Sequence, residues 1–108
     1  MAKIALEMDD LQVLAEPRRR QILAMVWDEE MPASVIAANF DVTFGAVSQH
    51  LSVLRDAAMV KVRQEGNYRY YRADRDRLEP YRTILEAMWR ETLRDLASAI
   101  ERSEGDES

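Results

Sequence analysis

Residues 43–72 read Thr43-Phe44-Gly45-Ala46-Val47-Ser48-Gln49-His50-Leu51-Ser52-Val53-Leu54-Arg55-Asp56-Ala57-Ala58-Met59-Val60-Lys61-Val62-Arg63-Gln64-Glu65-Gly66-Asn67-Tyr68-Arg69-Tyr70-Tyr71-Arg72. At 100° per residue Val47, Leu51, Leu54 and Ala58 share one face, while Gly45, Gln49, Ser52 and Asp56 fall opposite, with Ser48 and His50 on the flanks. Thr43 is a good N-cap, so the spacing predicts a helix running to about Ala57. After Met59 the period becomes two. Two strands, Val60 to Glu65 and Tyr68 to Arg72, are separated by Gly66-Asn67, residues that tolerate the positive φ of a tight reversal. The exposed helix face opens on small and hydrogen-bonding residues instead of the Lys/Glu mix of a solvated helix, and Lys61, Arg63, Arg69 and Arg72 lie on or beside the hairpin.

Upstream, Asp9 or Asp10 to Glu16 reads as a short helix through Leu11, Leu14 and Ala15, and Pro17 restarts the chain as a first-turn residue of a second helix to Trp27. Asp28, Glu29 and Glu30 end it, and Ala33 to Phe40 forms a third, short helix before the Asp41-Val42-Thr43 turn. Downstream, a last helix is expected over 78–102, with Pro80 in its first turn. Its apolar residues Leu78, Tyr81, Leu85, Met88, Leu93, Leu96 and Ile100 recur every three or four positions. At 1.5 Å per residue that helix is about 36 Å long, more than one small domain readily covers. A second copy of the chain would cover it. Residues 1–8 and 103–108 are read as a flexible N-terminus and a disordered acidic tail, leaving a single domain over 9–102.

The whole chain of 108 residues carries 15 Lys+Arg against 20 Asp+Glu, a formal charge of −5. That average argues against a nonspecific nucleic-acid coat, but the charge is uneven. Residues 1–43 sum to −4, 44–77 to +3 and 78–108 to −4. The chain has no cysteine and a single histidine, which removes disulfides, thiolate metal sites and any site needing two imidazoles. Apolar runs are too short for a membrane span, which needs roughly 20 residues, and the N-terminus lacks a secretory pattern, so a cytoplasmic protein without membrane contact is expected. Ser48 and His50 stand two apart on a helix and do not face each other. No other paired catalytic groups are present, so no enzyme is expected.

A short helix, a turn, a longer helix and a basic hairpin outline a mainly α fold with a small β wing, a winged helix-turn-helix. In that motif the second helix of the pair enters the major groove by its N-terminal residues. Here those are Thr43, Phe44, Gly45, Ser48, Gln49 and Ser52. Gln pairs with adenine N6/N7, Ser donates or accepts, and an apolar ring meets a thymine methyl. Arg63, Asn67, Arg69, Arg72 and His50 are candidate backbone contacts, which position without specifying. The partner is then double-stranded DNA, and the net +3 segment lies where a duplex would dock.

Three ordered blocks resemble a known family. Leu14-Ala15-Glu16-Pro17-Arg18-Arg19 followed by Ile22-Leu23, Ala46 to Ala57, and Arg63 to Tyr71 are similar to the opening, recognition helix and wing of ArsR/SmtB-type transcriptional regulators. The resemblance spans about residues 10 to 102. It implies a homodimeric bacterial or archaeal repressor, released from an operator by an effector, with a dimer seam built from the first and last helices. The corresponding residues are Leu11, Leu14, Leu78, Tyr81, Leu85, Met88, Trp89, Leu93 and Leu96. The family pattern places glycine where this chain has Asp41 and Ala58, and polar residues where it has Phe44, Gly45 and Ala46. Metal-sensing relatives carry Cys-x-Cys pairs on the third helix or Asp/His/Glu sets on the last. The third helix here reads Val35-Ile36-Ala37-Ala38-Asn39, and the last contains neither histidine nor cysteine. Soft metals require thiolate or imidazole, so the expectation is a non-metal-sensing member without a cofactor.

Some residues admit two readings. Glu79, Glu86 and Glu91 form either a hard-cation set or a solvated face. Trp27, Trp89, Tyr81, Met25 and Met88 line either a small-molecule effector pocket at the dimer interface or only the core and seam. Arg18, Arg19 and Arg20 either meet phosphate or pair with Glu16 and the 28–30 acidic cluster. Beside the DNA-binding reading stands an alternative, a winged-helix protein-interaction module.

Overall fold

A computed structural model describes residues 8–106, except for the side chains of Leu96 and of residues 102–106. Residues 1–7 of the flexible segment expected at 1–8, and the last two residues of the acidic tail, lie outside it. Helix α1 spans Asp10–Ala15 and starts at a reciprocal cap: the Asp9 carboxylate accepts from Gln12 N at 2.8 Å, and the Gln12 amide oxygen accepts from Asp9 N at 3.0 Å. Helix α2, Pro17–Met25, follows after one residue. Glu16 ends the first helix and caps the second, and Pro17 fills a position whose N–H would have no partner.

Arg19 and Arg20 do not pair with Glu16 or the 28–30 acidic cluster among the described residues. Arg19 Nε donates to Val13 O at 2.8 Å, and Arg20 Nη1 donates to Leu14 O at 2.8 Å and Ala15 O at 3.0 Å. The last carbonyls of a helix have no intrahelical partner. Two guanidinium groups from the next helix supply it, turning the chain back on α1.

Strand β1, Met31–Pro32, was not anticipated. It pairs antiparallel with the second hairpin strand, Met31 opposite Tyr71 and Pro32 opposite Tyr70. Helix α3 covers Ala33–Ala38 and α4 covers Phe44–Asp56. The hairpin strands β2, Val60–Glu65, and β3, Tyr68–Ala73, pair in register from Val60 opposite Ala73 to Glu65 opposite Tyr68, in the order β1-β3-β2. Gly66 takes φ +60 in the reversal.

The C-terminal region is not one helix from Leu78. Asp74 caps a short α5, Arg75–Leu78, a single 3₁₀ turn covers Glu79–Tyr81, and α6 runs Arg82–Asp106. Pro80 lacks the donor that a continuous ladder needs, which separates Leu78 from the long helix. At the other end residues 103–106, expected in the tail, continue α6. Gly105 alone resists, at about 1 kcal/mol, while each added residue gains one more backbone bond.

The core is apolar, and the described residues include no buried polar or charged residue. Val47, Leu51 and Leu54 of α4 are at most 1% exposed, packing with Ile22, Leu23, Ile36 and Met59. Ala58, assigned to the same face by helical projection, lies past the helix end and is exposed. Ala73 N donates to Val26 O and Asp74 N to Met59 O, both at 2.9 Å, anchoring the hairpin base to α2 and the α4 exit. The radius of gyration is 16.0 Å, against about 13 Å for a compact chain of this length. The described chain measures 58 Å along its longest axis, because α6 runs on past the packed body.

Candidate nucleic-acid interface

Thr43 begins α4 with extended backbone, and its Oγ1 accepts from Ala46 N at 3.1 Å. This cap directs the first turn outward while Val47 and Leu51 hold the opposite side in the core. Phe44, Gly45, Ser48 and Gln49 are all exposed, Phe44 at 57%. Ser52, one turn later, is half-buried. A Cβ at Gly45 would meet only Thr43 Oγ1, at 3.9 Å, so the missing side chain serves no internal packing and leaves the first turn open to an outside surface.

The wing residues divide by charge. Asn67, Tyr68 and Arg69 at the reversal are exposed, and Arg69 has no ion pair among the described residues. Arg72 is exposed and donates to Asp28 O at 3.3 Å. Arg63, expected as a phosphate contact, is already occupied. Its Nε lies 3.1 and 3.2 Å from the Glu30 carboxylate oxygens and its Nη1 2.7 Å from Glu65 Oε2, with the guanidinium 4.5 Å above the Tyr70 ring. The hydrogen bonds from Arg63 hold the Glu30 carboxyl below the usual carboxylate range, and the two carboxylates, Glu30 first, raise the guanidinium further.

His50 is turned toward α2 instead of outward. Its Nδ1 stands 3.4 Å from Arg19 Nη1, and burial, followed by the charge of Arg19, lowers its pKa.

The residues expected at a dimer seam also separate. Leu14, Leu78 and Leu85 are buried within the single chain, at 6%, 0% and 1% exposure, and have no surface left to offer a second copy. The helical stripe placed Leu78 and Leu85, and the family resemblance Leu14, at the seam, because period alone does not distinguish intrachain from interchain burial. Tyr81 is half-buried and its hydroxyl donates to Asp10. Trp89 Nε1 donates to Arg20 O at 3.0 Å, and its ring meets Trp27 edge-on at 5.3 Å between centroids. Met88 is half-buried. Leu11 and Leu93 are exposed at 69% and 65%, joined by Ile84 and Ile100 at 50% and 59%. The side chain of Leu96 lies outside the described set.

One feature had no sequence signal. Asp10 accepts from Arg77 Nη1 at 3.0 Å and Nη2 at 2.8 Å, and from the Tyr81 hydroxyl, across more than 60 residues. The Arg77 hydrogen bonds, then that of Tyr81, lower the Asp10 pKa. This pair lines an open cleft of about 530 Å³ with Met8, Val13, Val53, Asp56 and Ala57, against the end of α4. Glu79 and Glu86 both face Arg82. Among the described residues, no three His, Asp or Glu side chains come together as a metal site, and no helix is long and apolar enough to cross a membrane.

A helix pair presenting the start of its second helix, followed by a hairpin wing, defines the winged helix-turn-helix class of DNA-binding transcriptional regulators. Comparison with known proteins carries this further. Residues 16–62 match the bacterial regulatory protein, arsR family. The HTH-type transcriptional regulator Rv2034 of Mycobacterium tuberculosis is 36% identical over 97 residues, 90% of each chain. The transcriptional repressor SdpR of Bacillus subtilis is 30% identical over 60 residues, 56% of this chain and 67% of that one. A solved structure of a possible transcriptional regulator for arsenical resistance superposes with a TM-score of 0.65 at 36% identity, covering 84% of this chain and 95% of the other. The chain belongs to the ArsR family of transcriptional regulators.

Proposed function

We propose that this chain is a cytoplasmic, autoregulatory repressor that binds an inverted-repeat operator as a homodimer. The observation that carries the reading is the exposed first two turns of α4, where Phe44, Gly45, Ser48 and Gln49 stand on a helix whose opposite face is sealed in the core. Gln49 reads a base edge, Phe44 meets a thymine methyl, and Ser48 adjusts to either strand. Arg69, Asn67 and Arg72 anchor the wing on the backbone. SdpR, 30% identical over 56% of this chain, is itself called a repressor. The exposed Leu11, Ile84, Leu93 and Ile100 on the first and last helices support pairing of two copies.

The donor set argues against thiolate or imidazole metal sensing. There is no cysteine, and the single histidine faces an arginine. Borderline and soft metals would find neither preferred ligand. A small-molecule effector is the second reading, favoured by the cleft at the C-terminal end of α4, whose occupant would press on the recognition helix.

Selection of bound sites from random duplex by the purified protein tests the proposal. The expected product is an inverted repeat with half-site centres about one helical turn, 34–36 Å, or a multiple apart. Binding no tighter to the protein's own upstream DNA than to scrambled duplex, at any salt from about 50 to 200 mM, would refute autoregulation.

A further inference from the structure

The acidic segment Asp28-Glu29-Glu30 lies between α2 and β1, at the base of the wing. Two of its residues reach arginines there. Glu30 takes Arg63 through Nε and Nη2 together, Asp28 takes Arg75 Nη1 at 3.2 Å on its carboxylate, and the Asp28 carbonyl takes Arg72. Glu65 closes the remaining side of Arg63. The fork geometry that Arg63 makes with Glu30 is the geometry by which arginine binds a phosphate diester.

The pair is not needed to hold the fold together. The Arg63 and Glu30 side chains are 49% and 36% exposed, and pairs so placed contribute little to stability. The hairpin is already fixed by its register with β1 and by the backbone bond from Ala73 to Val26. What the pair does change is the field a duplex meets. With Glu30 and Glu65 both on Arg63, two carboxylates offset that guanidinium, and its positive charge is not offered to a duplex.

We propose that Glu30 is a positioning residue that limits DNA affinity: it holds the Arg63 guanidinium as a phosphate would, so that a duplex gains Arg63 only by displacing a carboxylate. The inference rests on the wing being a DNA contact. It restrains the sequence-independent part of binding and leaves the base-reading residues of α4 untouched. It also explains how basic wing residues coexist with an acidic chain.

The test uses the full-length protein as wild type, Glu30→Gln, Arg63→Gln and the double variant, each titrated with a random-sequence duplex across a salt series from about 50 to 200 mM. Glu30→Gln is expected to bind about 3- to 10-fold tighter, with the slope of log K against log salt steeper by about 0.9, the signature of one more phosphate contact. The gain should vanish when Arg63 is also replaced. Wild-type binding without a gain in Glu30→Gln, or an equal gain with Arg63→Gln present, overturns the inference. If none of the four binds duplex at the lowest salt, the DNA reading fails and the inference with it.

Discussion

Arg19 Nη1 stands 3.4 Å from His50 Nδ1, while Nε of the same guanidinium donates to Val13 O. One side chain therefore ties α1, α2 and the recognition helix. Arginine has only donors, so the facing imidazole nitrogen must be unprotonated. Burial and then Arg19 lower the His50 pKa; Glu16 opposes them and Arg18 adds to them.

That relationship fixes a sign. With the folded pKa below the ordinary 6.5, the unfolded chain takes up the proton first as pH falls. Stability is then lost from about pH 6.5 downward through the folded value. His50→Gln, which keeps an acceptor, should flatten this dependence between about pH 5 and 7. Denaturant unfolding at a series of pH values measures it, and an unchanged slope would remove the contact from the account.

Ala58 holds φ 59 just past α4, where its N–H donates to Arg55 O at 2.9 Å and that of Met59 to Leu54 O at 3.0 Å. This double closure normally uses glycine. A left-handed alanine costs about 1 kcal/mol, so Ala58→Gly should stabilise by about that amount and raise Tm by about 4–8 °C. Thermal unfolding gives the answer, with duplex binding unaffected.

Asp10 joins α1 to Arg77 and Tyr81 with side-chain exposure of only 27%. Asp10→Asn should cost about 1–2 kcal/mol, since bonds to charged partners are the stronger ones. Because the folded pKa is below 3.8, this contribution is fully present above that value and lost as pH falls through the folded one. Acid unfolding of the variant should be correspondingly less steep.

Leu93 and Leu85 separate assembly from folding. Leu93→Glu, at a 65% exposed position, should leave a folded chain that sediments as a monomer at micromolar concentration. Leu85→Ala should lose about 2–5 kcal/mol of stability whatever the assembly state, because the side chain is buried within one copy. A monomeric wild type would remove the seam.

Gln49→Ala and Arg69→Ala should fail in different ways. Losing a bidentate base contact costs about 1–3 kcal/mol of discrimination, so Gln49→Ala should narrow the gap between selected and random duplex. Arg69→Ala should weaken all sequences alike and reduce the salt slope by about 0.9. Parallel titrations of the two duplexes at several salt concentrations distinguish them.

The sequence by itself determined the order of helices and hairpin and the face that α4 buries, because those follow from periods and caps within a few residues of each other. Thr43 capping the helix that carries Val47, Leu51 and Leu54 inward is local physics. So is the Gly66 reversal. Pro80 was visible, but whether it opened α6 or interrupted the approach to it depended on the backbone on both sides. Strand β1 needed Tyr70 and Tyr71 opposite two residues that show no strand pattern of their own. The partners of the charges were decided only by tertiary structure. Arg63 finds Glu30, Arg19 finds His50 and Arg77 finds Asp10 across 33, 31 and 67 positions. Composition supplied the charges, but a guanidinium can satisfy a carboxylate, a carbonyl or a phosphate equally well, and only the folded distances choose among them.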